Sequence, residues 1–428
     1  LDQEDHFHIT GDVKKGILIR CIGGLDDDFF TDESTVEGWG KKTRIYDTKG
    51  DNHLDTGTEA RDKTSGDPVL NTYDRLSWDT EHDWGMGFPF IAGNPDDGIA
   101  IGGGAIFTRY GFKKSPFSAR HTIVGKFAVE TRAFDVDYKG EFIHALNHWD
   151  VLLGAKFQGP FYTLNFYGFG NESVNWLGNE QDFSQNYIRV RQKLYGIYPA
   201  LRRQMGNLSF SFGANAESVK IDDDPARLVN SANGDIRPAV FENQYFGGAE
   251  FQMNYLNADD PANPTTGLQL NATLGQKFNL ENTSRNYTWL SGYFGIYLGG
   301  PRLVLASKVG AKHVEGDFEF FQAATLGARN NLRGFRNERF TGETAFFHQN
   351  DVRLRLFNVE NYVLPFTLGI IGSYDYGRVW QEGETSGTWH DATGGGLWIS
   401  PFDLTVITFS YFRSDDGPWF QFRGGFAF

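Results

Sequence analysis

The chain has 428 residues, a formal net charge of −14, 16% aromatic residues and 52 glycines. Its single cysteine, Cys21, excludes an intrachain disulfide and a cysteine-rich metal centre. No apolar run approaches the ~20 residues of a membrane helix.

With a mean hydropathy of −0.43, two readings stay open. One is a large soluble β-protein. The other is an outer-membrane β-barrel, whose strands alternate lipid-facing apolar with lumen-facing polar residues and so average out as hydrophilic.

No signal peptide stands at LDQEDHFHIT, so the chain is expected to be a mature protein or a piece of a longer one. Residues 1–96 are rich in Asp, Thr and Gly and hold only short candidate strands such as GILIRCIGG. They are expected to form a separate acidic, β-rich segment that lies at the periplasmic mouth or partly plugs the barrel. Within it, GGLDDDFFTDES brings Asp26, Asp28 and Asp32 together as candidate calcium ligands. A solvated acidic turn accounts for them more simply, so no metal or other cofactor is expected. His6 and His8 share a strand face but make no metal motif.

From Gly98 onward the dominant signal is alternation at period two, broken by Gly, Asn, Asp and Pro turns. In FDVDYKGEF, Phe134, Val136, Tyr138 and Phe142 oppose Asp135, Asp137, Lys139 and Glu141. In LQLNATLGQ, Leu268, Leu270, Ala272 and Leu274 oppose Gln269, Asn271 and Thr273. About sixteen strands of membrane-spanning length fit the sequence. The first eight are expected at 98–110, 120–131, 133–146, 149–158, 162–170, 185–197, 208–221 and 241–257. The rest follow at 265–280, 286–300, 302–315, 344–358, 365–380, 388–401, 404–415 and 419–428. Short connections follow mostly even strands (GPFY near 159, GGPR near 299, SPFD near 400), and long polar ones often follow odd strands. That asymmetry is the one between periplasmic turns and extracellular loops. The last strand, WFQFRGGFAF, sets Phe420, Phe422, Phe426 and Phe428 on one face and resembles an outer-membrane assembly signal.

The sequence holds no G-x-S-x-G, H-E-x-x-H or P-loop, and no enzyme activity is expected.

The loop before the strand at 344–358 contains Leu-Arg-Gly-Phe, residues 332–335. It resembles the signature of the superfamily of BamA, TamA and the two-partner-secretion transporters, the bacterial surface antigen family. The resemblance implies a sixteen-stranded antiparallel transmembrane barrel with a long inward-folded loop, preceded here by a small β-rich segment. It implies that Arg333 enters the lumen and pairs with acidic residues on the next two strands. NDVRLRL places Asp351 in the first of those positions, and SYDYG places Asp375 and Gly377 in the second, with Ser373 where the family carries an aromatic. Alternation puts both aspartates on the polar face. A guanidinium can bind carboxylate through two parallel hydrogen bonds, Gly334 lets the loop turn and approach the wall, and Phe335 would pack inside the lumen.

Residues 1–96 lack the helix-and-sheet pattern of POTRA domains. With NPDDGIAIGGGAIF and FYGFGNES, the chain looks most like the metallophosphoesterase-fused branch. No phosphoesterase metal motif is present, so such a domain would precede residue 1.

The expected domains are therefore 1–96 and an outer-membrane barrel over 97–428. The expected function is insertion or translocation of protein or lipid at the bacterial outer membrane, without covalent chemistry. The alternatives are an anchor and exporter for an upstream phosphoesterase domain, and a diffusion porin. Expected partners are outer-membrane lipid and lipopolysaccharide, periplasmic or surface lipoproteins and a protein or lipid substrate; none is nucleic acid. The Gly-rich strand at 98–110 is expected to meet the last strand in a seam that can open sideways.

Overall fold

The computed structural model describes residues 3–14, 18–36, 43–58, 60–66, 82–94, 98–176, 185–231, 236–328 and 331–428. The chain divides into two compact units: Leu1–Trp84 with Thr108–Ser118, and Gly85–Phe107 with Ala119–Phe428.

The larger unit is a sixteen-stranded antiparallel β-barrel in which each strand is hydrogen-bonded to its neighbours in chain order. Its strands are β1 (Trp84–Asn94), β2 (Gly98–Arg109), β3 (Ala119–Ala128), β4 (Phe134–Leu146), β5 (Trp149–Asn165), β6 (Arg189–Met205), β7 (Leu208–Ile221) and β8 (Gln244–Ala258). They continue with β9 (Gly267–Asn279), β10 (Asn286–Gly299), β11 (Leu303–Gly316), β12 (Thr344–Val359), β13 (Phe366–Trp380), β14 (His390–Pro401), β15 (Ile407–Ser414) and β16 (Gly417–Gly424).

Alternation decides which way each side chain faces. On β12, Val352 and Leu354 are exposed, whereas Gln349, Asp351 and Arg353 on the opposite face are buried. On β13, Ile370 and Tyr374 face out, and Ser373 and Asp375 face in. Leu201, Phe212, Leu274, Leu290, Leu305, Leu397 and Phe409 extend the exposed apolar surface around other strands. Patches this continuous are avoided against water and are the lipid-facing belt of a transmembrane barrel.

The strand count matches the expectation, but two strands were misplaced. Gly159 and Pro160, read as a turn, lie within β5, where the pairing with β6 shifts register between Gln158 and Tyr162. A Gly-Pro pair here marks a bulge in one long strand, because the flanking segments stay paired with the same neighbour. The true first strand is Trp84–Asn94, which carries Pro89 at its centre; proline is tolerated on a strand at the end of the sheet order. The Gly-rich strand is therefore second, and the strands at the two ends of the order are β1 and β16. The expected domain boundary at 96/97 lies outside the described residues, and the barrel sheet already begins before it.

The final strand also ends early. Phe420 and Phe422 face outward, 75% and 54% exposed. Gly425 then adopts φ +91°, a left-handed conformation that ends the strand. Phe426 and Phe428 consequently leave the outward face and turn into the barrel, Phe426 against Trp398 and Phe428 against Tyr297.

The smaller unit stacks parallel strands. His6–Ile9, Phe29–Asp32 and His53–Thr56 form one ladder, and Arg20–Ile22, Thr43–Tyr46 and Ala60–Asp62 another. Phe7 pairs with Phe30 and Phe30 with Leu54, so each strand of the first ladder returns after one coil of chain. Cys21, Phe30 and Ile45 fill the interior.

Candidate functional site

The connection between β11 and β12 folds into the barrel. It contains a short 3-10 turn, Phe320–Gln322, and a two-stranded ribbon in which Thr325 pairs with Thr341 and Leu326 with Phe340. Leu326, Leu332, Phe335 and Phe340 are fully buried against Ala345, Phe347, Val379, Ala392 and Phe412 of the inner wall. Phe340 stacks on His390 at 3.6 Å, and Phe335 meets the same ring edge-on. Burial of these apolar side chains, worth about 1.5–3 kcal/mol each, holds the loop against an otherwise polar face.

Arg333 crosses this apolar bed to reach the wall. Its Nε donates to Asp375 Oδ2 at 2.7 Å and its Nη2 to Asp375 Oδ1 at 2.6 Å, the two-pronged geometry of a guanidinium on a carboxylate. Its backbone N–H also donates to Asp375 Oδ2, at 3.1 Å. Nη1 donates to Asp351 Oδ1 at 2.8 Å, an oxygen that also accepts from Ser373 Oγ at 2.7 Å. The side chains of Arg333, Asp351 and Asp375 are 4%, 0% and 0% exposed.

The small residues of the motif set the approach. Gly334 has φ +87°, and a Cβ there would sit 2.7 Å from Ala392 Cβ; its carbonyl accepts from Ser414 Oγ at 2.7 Å. At Gly377 a Cβ would meet Phe346 O at 2.5 Å and Leu326 Cδ1 at 3.2 Å, so this glycine makes room for the loop ribbon. Ser373, the departure from the motif noted in the sequence, supplies a hydroxyl to Asp351.

Several contributors were not anticipated. Arg353 Nη2 reaches Asp351 Oδ2 at 3.4 Å, so two arginines and two aspartates form a charge-balanced group. Arg339 Nε donates to Asp416 at 2.7 Å, and its Nη1 donates to Ser173 Oγ at 2.9 Å. Arg336 lies over Trp419 at 5.2 Å. Asn171 brackets Val379 with two hydrogen bonds, Nδ2 to its carbonyl and its N–H to Oδ1, and binds Glu384 with its own N–H. The segment after β5 thereby ties the inner loop to the β13–β14 connection. The partners of Arg339 and Asn171 lie far away in sequence, so no local spacing announces them.

The four phenylalanines expected to form an assembly signal do not share a face: Phe420 and Phe422 point outward, and Phe426 and Phe428 inward. Asp26 is exposed while Asp28 and Asp32 are buried, and among the described residues no group of three or more metal-ligating side chains converges.

No family model and no curated protein matches the chain. Solved structures do. BamA from Haemophilus ducreyi lacking POTRA domains 1–3 aligns with a TM-score of 0.54 at 14% identity, over 80% of this chain and 69% of that one. CdiB from Escherichia coli aligns with a TM-score of 0.52 at 11% identity, over 79% of this chain and 60% of that one. The fold is that of the BamA-type barrels. Its exposed apolar belt is that of a membrane-spanning barrel. In this BamA-like barrel the long loop and its arginine occupy the lumen.

Proposed function

We propose that the chain is an outer-membrane insertase or translocator, moving or inserting protein or lipid without covalent chemistry. The observation that carries the reading is the buried Arg333–Asp375–Asp351 lock, which holds the loop inside the barrel. A pore for steady diffusion gains nothing from filling its lumen with an apolar loop core; a barrel that opens during a substrate's passage needs a closed resting state. The work would fall to the meeting of β1 and β16, since β16 has eight residues where β5 and β6 have seventeen. The apolar belt would contact lipid and lipopolysaccharide, and a periplasmic or surface lipoprotein would be the protein partner.

The test reconstitutes the protein in planar bilayers and, separately, joins β1 to β16 through an introduced cysteine pair in cells depleted of the native copy. Low resting conductance, with loss of cellular function on cross-linking, supports the proposal. High steady conductance unaffected by cross-linking would make the protein a diffusion porin.

A further inference from the structure

The smaller unit buries acidic side chains that the lock does not use. Asp28 and Asp47 are 1% and 0% exposed. Ile22 pairs with Tyr46, so Gly23 on one coil stands beside Asp47 on the next. A Cβ at Gly23 would collide with Asp28 Oδ2 and lie 2.8 Å from Asp47 Oδ1, so both carboxylates point into the space that this glycine leaves open.

Each carboxylate is half satisfied. Asp28 Oδ1 accepts from the Asp5 N–H at 2.7 Å. Asp47 Oδ1 accepts from the N–H groups of Thr48, at 2.7 Å, and Gly24, at 3.3 Å. Oδ2 of both residues is buried without a hydrogen-bond partner. Neither has a basic partner among the described residues, and the further charges that act on Asp28 are the acidic Asp5 and Asp26. Two buried carboxylates with free oxygens and no counter-charge are costly unless a cation or a proton is added.

We propose that this corner binds one hard divalent cation of the calcium class between Asp28 and Asp47. Such a cation takes about six to eight oxygen ligands. The two carboxylates supply the neutralising charge, and main-chain oxygens and water complete the shell. Binding joins two successive coils, so the cation stiffens the unit across its stacking direction. The site differs from the Asp26, Asp28 and Asp32 grouping read from sequence, because its second carboxylate comes from the next coil.

Cys21 offers a built-in reporter. It is the chain's only cysteine, it lies in the interior of this unit, and burial followed by the nearby Asp32 charge pushes its thiol up to about 11. Alkylation therefore reports opening of the unit. The full chain, in detergent and freed of metal with EDTA, is titrated with calcium chloride while Cys21 alkylation and bound ⁴⁵Ca are measured. A dissociation constant of about 0.1–1 mM fits an extracellular-type site, and at ten times that concentration alkylation should slow roughly tenfold. Asp28→Asn and Asp47→Asn should each abolish the bound calcium and the slowing. A wild-type chain whose alkylation ignores calcium overturns the proposal, and that arm needs no variant to fold. So does an Asp47→Asn chain that binds calcium and responds to it as wild type does.

Discussion

Arg353 links the inner loop to the segment that follows β16. Its Nη2 stands 3.4 Å from Asp351 Oδ2 and donates to the carbonyl oxygen of Phe428 at 2.9 Å, while Phe426 packs its ring 3.8 Å from the guanidinium carbon. Asp351 in turn holds Arg333. The loop and the inward-turned tail are thus anchored on adjacent charges of one strand.

Removing Arg333 strands the buried Asp375 and leaves Asp351 with Arg353 and Ser373. Arg333→Ala should destabilise the barrel by about 3–5 kcal/mol, read as a lower urea midpoint in detergent and a lower heat-modification temperature on gels, and should raise resting conductance. Arg333→Lys should recover little, because an ammonium cannot occupy both oxygens of Asp375 and one of Asp351 in a plane. Unchanged stability and conductance would show that the loop is held by its apolar contacts alone.

Gly334→Ala tests the approach of the loop without touching charge. The new Cβ meets Ala392 Cβ at 2.7 Å in a left-handed backbone. A cost of about 1–3 kcal/mol is expected, with raised conductance. A variant as stable as wild type would mean that the wall yields easily at Ala392.

Arg353→Ala should free the tail while sparing the lock. Asp351 keeps Arg333 and Ser373, whereas Phe428 loses its donor and Phe426 its cation. Chymotrypsin should then cut at Phe426 much faster than in wild type. Combined with Arg333→Ala, the stability losses should depart from additivity by about 0.5–3 kcal/mol, because the two arginines share Asp351. Independent losses would place loop and tail on separate supports.

In metal-free buffer the smaller unit should respond to pH. Burial, together with the charge of Asp28, pushes the Asp47 carboxyl up to about 6, above the roughly 3.9 of an unfolded chain. A raised carboxyl pKa contributes stability that is fully present below about pH 4 and is lost as pH rises through about 6. Amide exchange at Cys21 and Ile45, corrected for the intrinsic rate at each pH, should therefore be slowest near pH 4 and speed up toward pH 7. Asp47→Asn should flatten that dependence; an unchanged slope would assign it to other groups.

Much of the barrel was legible because lipid and lumen impose opposite chemistry on alternate residues. Val352 and Leu354 against Asp351 and Arg353 announce their faces without any tertiary information. The positions of Arg333, Asp351 and Asp375 followed from a motif and from parity. Turn chemistry was ambiguous: Gly159-Pro160 serves equally a turn or a bulge, and only the partner strand decides. Gly425 was hidden in a run of aromatics, so the inward turn of Phe426 and Phe428 could not be seen. The smaller unit's repeat lies in spacing, not identity. Asp5, Asp28 and Asn52 each precede a ladder strand, and the main-chain N–H of Asp5 and of Asp28 donates to the side chain of the next. The residues between them differ.

The unequal strand lengths have a consequence for the surrounding bilayer. At about 3.3 Å per residue, the eight residues of β16 extend about 26 Å. At a tilt of about 40° they rise only about 20 Å, less than the ~25 Å apolar band of an ordinary barrel. The seventeen residues of β5 and of β6 clear that band with room to spare. Acyl chains beside β16 must therefore shorten or disorder while those beside β5 and β6 stay extended. The protein carries its own soft spot in the lipid, at the place where its strand order ends.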